Sequence, residues 1–390
     1  MNATKHKIAR DVSHIPFSII REMSLRATKY SHVISLGIGE PDFHTPAFIC
    51  QAALADALAG ATHYTASQGD PELLQAVNAY VNKRLDVSLT TDNIMISTGG
   101  MGALTAYFKA VLEPGDEVLV PEPYFPAYQA LIAWPGGRLV GVPTRLEDGF
   151  VPNVADLEAA VTPRTKVLLL NSPHNPTGAV IPGKTLDNLA QFAIEHDLLV
   201  ISDEVYEQLV FTDPDHESIY TRDGMAERTV ALHSFSKSYA MTGWRVAYAF
   251  GPSWLIAPIT KVASYFTSCP SSVSQRAALA ALRGDPQVVQ DMAARFKARC
   301  QIGYDGVRRL PGVRVMPCHG AFYLFPDIRQ LTTDSRQFAL DLLDQQQVVV
   351  VPGEAFGAST QGYVRLACTV STEKLKTALA KMAQFIADNY

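Results

Sequence analysis

Between residues 90 and 250, short and nearly unbroken apolar runs alternate with segments of helical period. The runs are Asn93–Ser97, Glu117–Val120, Lys166–Leu170, Leu198–Ile201, Val230–Leu232 and Val246–Phe250. Between them lie repeats such as Leu186, Leu189, Ala190, Ala193 and Ile194, which share one face of a helix. A strand that is apolar at every position, rather than at every second one, needs cover on both faces. The pattern therefore predicts an α/β fold: a mostly parallel central sheet flanked by helices.

The flanking regions read differently. Residues 46–59 have helical period, with Phe48, Ile49, Ala52, Ala55 and Leu58 on the expected inner face. Past Pro286 come a long polar helix over about 287–309, short runs at Arg314–Met316 and Ala321–Phe325, and a helix over 335–345. A strand at Val348–Val351, another at Tyr363–Ala367 and a terminal helix complete the chain. That succession predicts a smaller α+β domain over 286–390, beside a large domain over 46–285. Residues 1–45 are expected to form an N-terminal arm and a segment of the smaller domain. The arm's one apolar cluster, Ile15–Ile20, is expected to pack on the body or on a neighbouring subunit.

Composition narrows the function classes. The 390 residues are 47% hydrophobic and 18% charged, with a formal net charge of −5. This is an ordinary globular balance, and it offers no electrostatic case for nucleic acid or an anionic membrane surface. Five scattered cysteines (Cys50, Cys269, Cys300, Cys318 and Cys368) form no C-x-x-C pair, so neither a disulfide framework nor a zinc site is indicated. With no apolar run of membrane-spanning length and no apolar stretch behind Lys5, Lys7 and Arg10, a cytoplasmic protein is expected.

In an open α/β sheet, ligands collect at the carboxyl ends of the strands. The first run leads into Ser97-Thr98-Gly99-Gly100-Met101-Gly102, a glycine turn entering a helix whose free N–H groups suit an anion. The second ends in Pro121-Glu122-Pro123-Tyr124-Phe125-Pro126, with an aromatic placed either to stack on a flat ring or to fill the core. The third ends in Asn171-Ser172-Pro173-His174-Asn175-Pro176-Thr177-Gly178, a rigid turn in which Asn175 is able to donate to a phenolate-type oxygen. The fourth ends in Ser202-Asp203-Glu204-Val205-Tyr206, where a carboxylate closing a buried strand needs a partner such as a protonated pyridine, or else caps a helix. The fifth ends in Ser234-Phe235-Ser236-Lys237, with Gly243-Trp244-Arg245 beyond it. Lys237 suits Schiff-base formation, while the serines and Arg245 suit a phosphate. Each reading alone has an ordinary structural alternative. Together they offer complementary parts of one cofactor, a phosphorylated aldehyde such as pyridoxal phosphate.

Asn-Ser-Pro-His-Asn-Pro-Thr-Gly at 171–178, Ser-Asp-Glu-Val-Tyr at 202–206, Ser-Phe-Ser-Lys at 234–237, Gly-Trp-Arg at 243–245 and Val-Arg-Leu at 364–366 resemble the class I/II aminotransferases of pyridoxal phosphate fold type I. The similarity runs from Gly37-Ile38-Gly39-Glu40-Pro41-Asp42-Phe43 to Arg365. It implies that Lys237 forms the Schiff base (an aldimine) with the cofactor and then shuttles the proton. It implies that Asp203 pairs with the pyridine nitrogen, Tyr206 and Asn175 contact the ring oxygen, and Phe125 stacks on the ring. Ser234, Ser236, Arg245 and the Gly100-Met101 backbone would hold the phosphate. Arg365, with Asn175 and the Gly39 backbone, would clamp the substrate carboxylate. Tyr64 would reach the phosphate of a neighbouring subunit, so a homodimer with shared active sites is implied, acting on amino acids and 2-oxo acids.

One departure bears on the substrate. Some aspartate-using relatives carry a lysine just after the paired glycines, where this chain has Met101. Met101, Ile15, Phe17 and Tyr124 together suggest a pocket for neutral or aromatic side chains. A β-elimination (C–S lyase) or a decarboxylation is the alternative reaction, since both need the same cofactor and lysine. A nicotinamide dehydrogenase is disfavoured, because no G-x-G-x-x-G opens a helix with an acidic residue following.

Overall fold

The computed structural model describes residues 18–213 and 215–390. Strand β1 (Ile34–Ser35) is followed by the strands β2 (Ile94–Ser97), β3 (Glu117–Glu122), β4 (Arg138–Pro143), β5 (Thr165–Asn171), β6 (Leu199–Asp203), β7 (Thr229–Ser234) and β8 (Ala247–Phe250). Strands β2 to β8 form one sheet in the order β2-β8-β7-β6-β5-β3-β4. All pair in parallel except β8, which runs against both of its neighbours. Alternation along each strand sends successive side chains to opposite faces. Val167 and Leu169 pack with Leu104, Tyr107 and Phe108 of the helix Gly99–Val111, whereas Leu168 and Leu170 pack with Leu186, Leu189 and Ala190 of the helix Gly183–Glu195. Both faces are thus dry, as the unbroken apolar runs require.

The edge strand β4 carries no such run. Its Arg-Leu-Val-Gly-Val-Pro sequence is mostly exposed or half-buried, and it therefore gives no signal of a core strand. The helix Ala47–Leu58 forms where expected, and Phe48, Ile49 and Ala52 face inward as expected, but its C-terminal half turns Ala53 rather than Ala55 and Leu58 to the core. Ile49 and Ala53 are buried, Ala55 is exposed, and Leu58 is 81% exposed. Its sequence is apolar nearly all round, so periodicity does not choose a face; packing against the helix Ser272–Arg283 does.

Beyond residue 286 the long helix spans Gln287–Val307 and the next Ser335–Gln346. The remaining strands are short: β9 (Tyr323–Leu324), β10 (Val348–Val349), β11 (Val351–Pro352) and β12 (Val364–Ala367). The expected run at Val348–Val351 is thus split in two, and Arg314–Met316 contributes only a single bridge, Arg314 to Asp327. β1 pairs in parallel with β10, and β12 lies between β11 and β9. The Ala367 N–H donates to the Leu36 carbonyl (2.7 Å), which ties the glycine turn at 37–39 beside the strand that carries Arg365. Among the described residues, no helix is long and apolar enough to cross a membrane.

Candidate active site

The carboxyl ends of β2, β3, β5, β6 and β7, with β12 and the Gly37–Gly39 turn, enclose a chamber of about 310 Å³. Gly39, Gly100, Met101, Phe125, Asn175, Asp203, Tyr206, Ser234, Ser236, Lys237, Arg245 and Arg365 all line it. These positions are up to 326 residues apart in the chain, Gly39 against Arg365, and only the sheet order makes them neighbours.

Two glycines are required by close approach. A Cβ on Gly39 would lie 2.0 Å from the Tyr323 hydroxyl. One on Gly99, whose φ is +71°, would lie 2.5 Å from Arg245 Nη2. The Arg245 guanidinium therefore rests against backbone at the start of the helix Gly99–Val111, where free N–H groups and the helix dipole also favour an anion. Ser234 caps the short helix Phe235–Ser238 by accepting from the Ser236 N–H at 3.1 Å. Ser234, Ser236 and Arg245 all face the same chamber.

Lys237 Nζ donates to the Gly39 carbonyl at 2.6 Å. Loss of hydration lowers its pKa to about 8, with Arg245 and Arg365 contributing in the same direction against Glu40 and Asp203. A useful fraction of its amine is therefore neutral near physiological pH. Asp203 is buried at the end of β6. The Tyr128 hydroxyl donates to its Oδ2 at 2.6 Å, yet burial still pushes its carboxyl up to about 6. An acid held this way gains from a cationic partner.

Arg365 is 2% exposed, and among the described residues it meets no carboxylate. Its Nη1 donates to Asn175 Oδ1 (3.0 Å), its Nη2 donates to the Gly37 carbonyl (2.5 Å), and its Nε has no partner. The guanidinium carbon lies 4.7 Å from the Tyr323 ring centroid and 5.0 Å from that of Phe356. Burial lowers its pKa, and an anionic ligand would relieve that cost. Because Asn175 Oδ1 accepts from Arg365, its Nδ2 is the end available to donate. Tyr206 and Tyr323 share a hydroxyl contact at 2.9 Å.

The donor set fits pyridoxal phosphate. An anion cradle, a partly neutral lysine and, among the described residues, a buried carboxylate with no ion-pair partner and a buried guanidinium with none face one cavity. Two sequence expectations place residues elsewhere. Tyr64 is 89% exposed and outside the chamber of its own protomer. Tyr124 turns away into a separate small cavity with Phe150 and His174, because its N–H is held by the Phe356 carbonyl at 2.8 Å. Ile15 and Phe17 lie outside the described residues. Sequence reasoning missed Tyr128, Tyr323 and Asn171. Tyr128 follows Phe125 by three residues, a helical spacing that offered a signal. Tyr323 reads only as part of an apolar run. Asn171 reads as turn chemistry, and its Nδ2 in fact donates to the Asp203 carbonyl at 2.8 Å.

The model for the family "Aminotransferase class I and II" matches residues 31–382. The chain is 40% identical to an aspartate aminotransferase of Pyrococcus abyssi, over 95% of each chain. It is 38% identical to aromatic-amino-acid aminotransferase 2 of Thermococcus litoralis, again over 95% of each. A solved structure of the aspartate aminotransferase from Thermus thermophilus with maleate superposes with a TM-score of 0.92 at 35% identity, covering 97% of this chain and 99% of that one.

Proposed function

The chain belongs to the class I and II aminotransferases, a pyridoxal phosphate-dependent family of fold type I, and we propose that it uses the chamber residues to move amino groups from neutral or aromatic L-amino acids to 2-oxo acids. The observation that carries the site assignment is the convergence of Lys237, Arg245 and Arg365 with Asp203 on one cavity. When bound, pyridoxal phosphate supplies an aldehyde that captures amines and a protonated ring that draws electrons from the substrate's α-carbon.

The protein's part is to bind, orient and move protons. With pyridoxal phosphate bound, Lys237 would supply the amine that anchors the aldehyde and a base placed to take the α-proton. A pKa near 8 suits both tasks. Asp203, oriented by Tyr128, would hold the proton on the ring nitrogen. Asn175 Nδ2 and the Tyr206 hydroxyl would donate to the ring oxygen, and Phe125 would cover the ring. Ser234, Ser236, Arg245 and the Gly100-Met101 backbone would take the phosphate. Arg365 grips the substrate carboxylate with two parallel bonds, which fixes the α-carbon for proton transfer.

Relatives named for aspartate and for aromatic amino acids are about equally similar, so the chamber must decide the donor. Among the described residues, the cations lining it are Lys237, Arg245 and Arg365, and each already has a task. The apolar Ile20, Ile38, Met101 and Leu104 also line it, and among the described residues no further cation is there to pair with a second carboxylate. The relatives' names favour amino-group transfer over the lyase or decarboxylase alternative.

A homodimer, a cytoplasmic location and the division into a 46–285 domain and a 286–390 domain belong to the same proposal. Tyr64 supports the dimer: an 89% exposed tyrosine is explained if it serves the phosphate site of a second copy. The test is the visible absorbance of the purified protein with single amino acids and no acceptor. Conversion of the yellow band by phenylalanine or methionine, but weakly by aspartate, supports the reading. Preferential conversion by aspartate would overturn the substrate assignment. Pyruvate or amine accumulating while the band persists would overturn the reaction.

A further inference from the structure

Behind the chamber, on the side of β6 and β7 away from Asp203, lies a buried cluster that the reaction does not use directly. Glu204 follows Asp203 and is 1% exposed. Its carboxylate is the acceptor for four side chains. Ser202 Oγ (2.8 Å) and Ser218 Oγ (2.6 Å) donate to Oε1, while the Nε2 atoms of His216 and His233 both lie 2.9 Å from Oε2. His233 immediately precedes Ser234 on β7, four residues before Lys237. The Glu204 N–H donates to the Leu232 carbonyl, extending the β6–β7 ladder by one bond. One carboxylate therefore fastens the strand end bearing Asp203 to the strand end leading to Lys237, and both to the 216–218 loop.

The cluster continues outward. His233 Nδ1 lies 3.1 Å from the Tyr248 hydroxyl and 4.0 Å from Glu207, whose Oε1 accepts from the Tyr80 hydroxyl. Arg84 lies 3.6 Å from Glu207 and pairs with Asp215 at the surface. Glu204 itself is fully bonded, which fixes its neighbours, whereas His216 Nδ1 and Glu207 Oε2 have no hydrogen-bond partner among the described residues. A charge this close to Asp203 also acts on it: Glu204 makes ionisation of Asp203 harder, and His233 makes it easier.

We propose that Glu204, His216 and His233 are positioning residues that set the orientation and charge state of Asp203, and through it the grip on the cofactor's ring nitrogen. The inference rests on the assignment of Asp203 to that nitrogen. Among the described residues, the other titratable groups facing Asp203 are Tyr128, Tyr206 and Lys237, and they are unchanged in the variants below.

The test is the association of pyridoxal phosphate with apoprotein, followed by absorbance from pH 5 to 8, with an apoprotein melt for each variant. In the unaltered protein, affinity falls as pH drops through the titration of Asp203; affinity independent of pH there would refute the underlying assignment of Asp203. Given that limb, Glu204→Gln removes a negative charge and shifts it to lower pH. His233→Gln removes the opposing influence and shifts it to higher pH. Opposite shifts are the signature of the proposal. A uniform loss of affinity in both variants, with the limb in place, would mean that the cluster only braces the fold, and would overturn it. Should Glu204→Gln give no folded apoprotein, His216→Gln carries the test. It removes an imidazole from the same Oε2 and must shift the limb upward alongside His233→Gln, and an unmoved limb refutes the proposal.

Discussion

Arg365→Lys separates the charge of the carboxylate grip from its geometry. The guanidinium is buried between Tyr323 and Phe356, and Asn175 and Gly37 orient it. Lysine keeps the positive charge but replaces a planar fork by a point donor. The loss is then about one charge-assisted hydrogen bond, worth about 1.5–3 kcal/mol. At about 1.4 kcal/mol per factor of ten, kcat/KM for a preferred amino acid falls by about 10- to 150-fold, chiefly through KM. Cofactor binding should stay unchanged, because the role proposed for Arg365 is toward the substrate. The assay is the single-turnover conversion of the cofactor band by phenylalanine, compared with 2-phenylethylamine, which has no carboxylate. The variant should lose rate on the amino acid while its slow reaction with the amine is unaltered. Equal losses on both compounds would refute the assigned role, since a carboxylate clamp has nothing to hold in the amine.

Four further outcomes follow from the same geometry. Lys237→Ala should abolish turnover yet retain bound pyridoxal phosphate, and normal steady-state turnover by that variant would sink the mechanism. Because the Lys237 amine reacts only when neutral and its pKa is lowered to about 8, reconstitution of apoprotein should accelerate as pH rises through about 8 and level off above it, as stopped-flow absorbance will read. Met101→Lys places a cation at a position 37% exposed, so its pairing with a second carboxylate is partly screened, and kcat/KM for aspartate should rise only about three- to tenfold. Tyr64→Phe should leave the apoprotein's stability within about 0.5 kcal/mol, as for an exposed side chain, while weakening cofactor affinity if the proposed dimer forms. Unchanged affinity would remove Tyr64 from the shared site.

The apolar runs of the sequence determined the central sheet, because strands covered on both faces leave an unbroken pattern that needs no partner to be read. They also fixed which residues stand at strand ends, and hence Asp203, Asn175, Phe125 and the Ser234–Lys237 turn. The edge strand β4 and the C-terminal half of the inner face of the helix Ala47–Leu58 were not legible. In the first, half-exposure erases the pattern, and in the second, an apolar surface all round leaves the choice to the neighbouring helix. Tyr124 and Phe125 are adjacent and similar in chemistry, yet one lines a separate cavity while the other faces the chamber, a choice made in the folded structure, where the Tyr124 N–H meets the distant Phe356 carbonyl. Tyr128 on Asp203, Tyr323 against Gly39 and the Glu204–His233 cluster likewise depend on pairings between distant segments. Local patterns encode which face of the backbone a residue occupies. Which charges share a buried space depends on strand order and register, and these follow from packing of the whole chain.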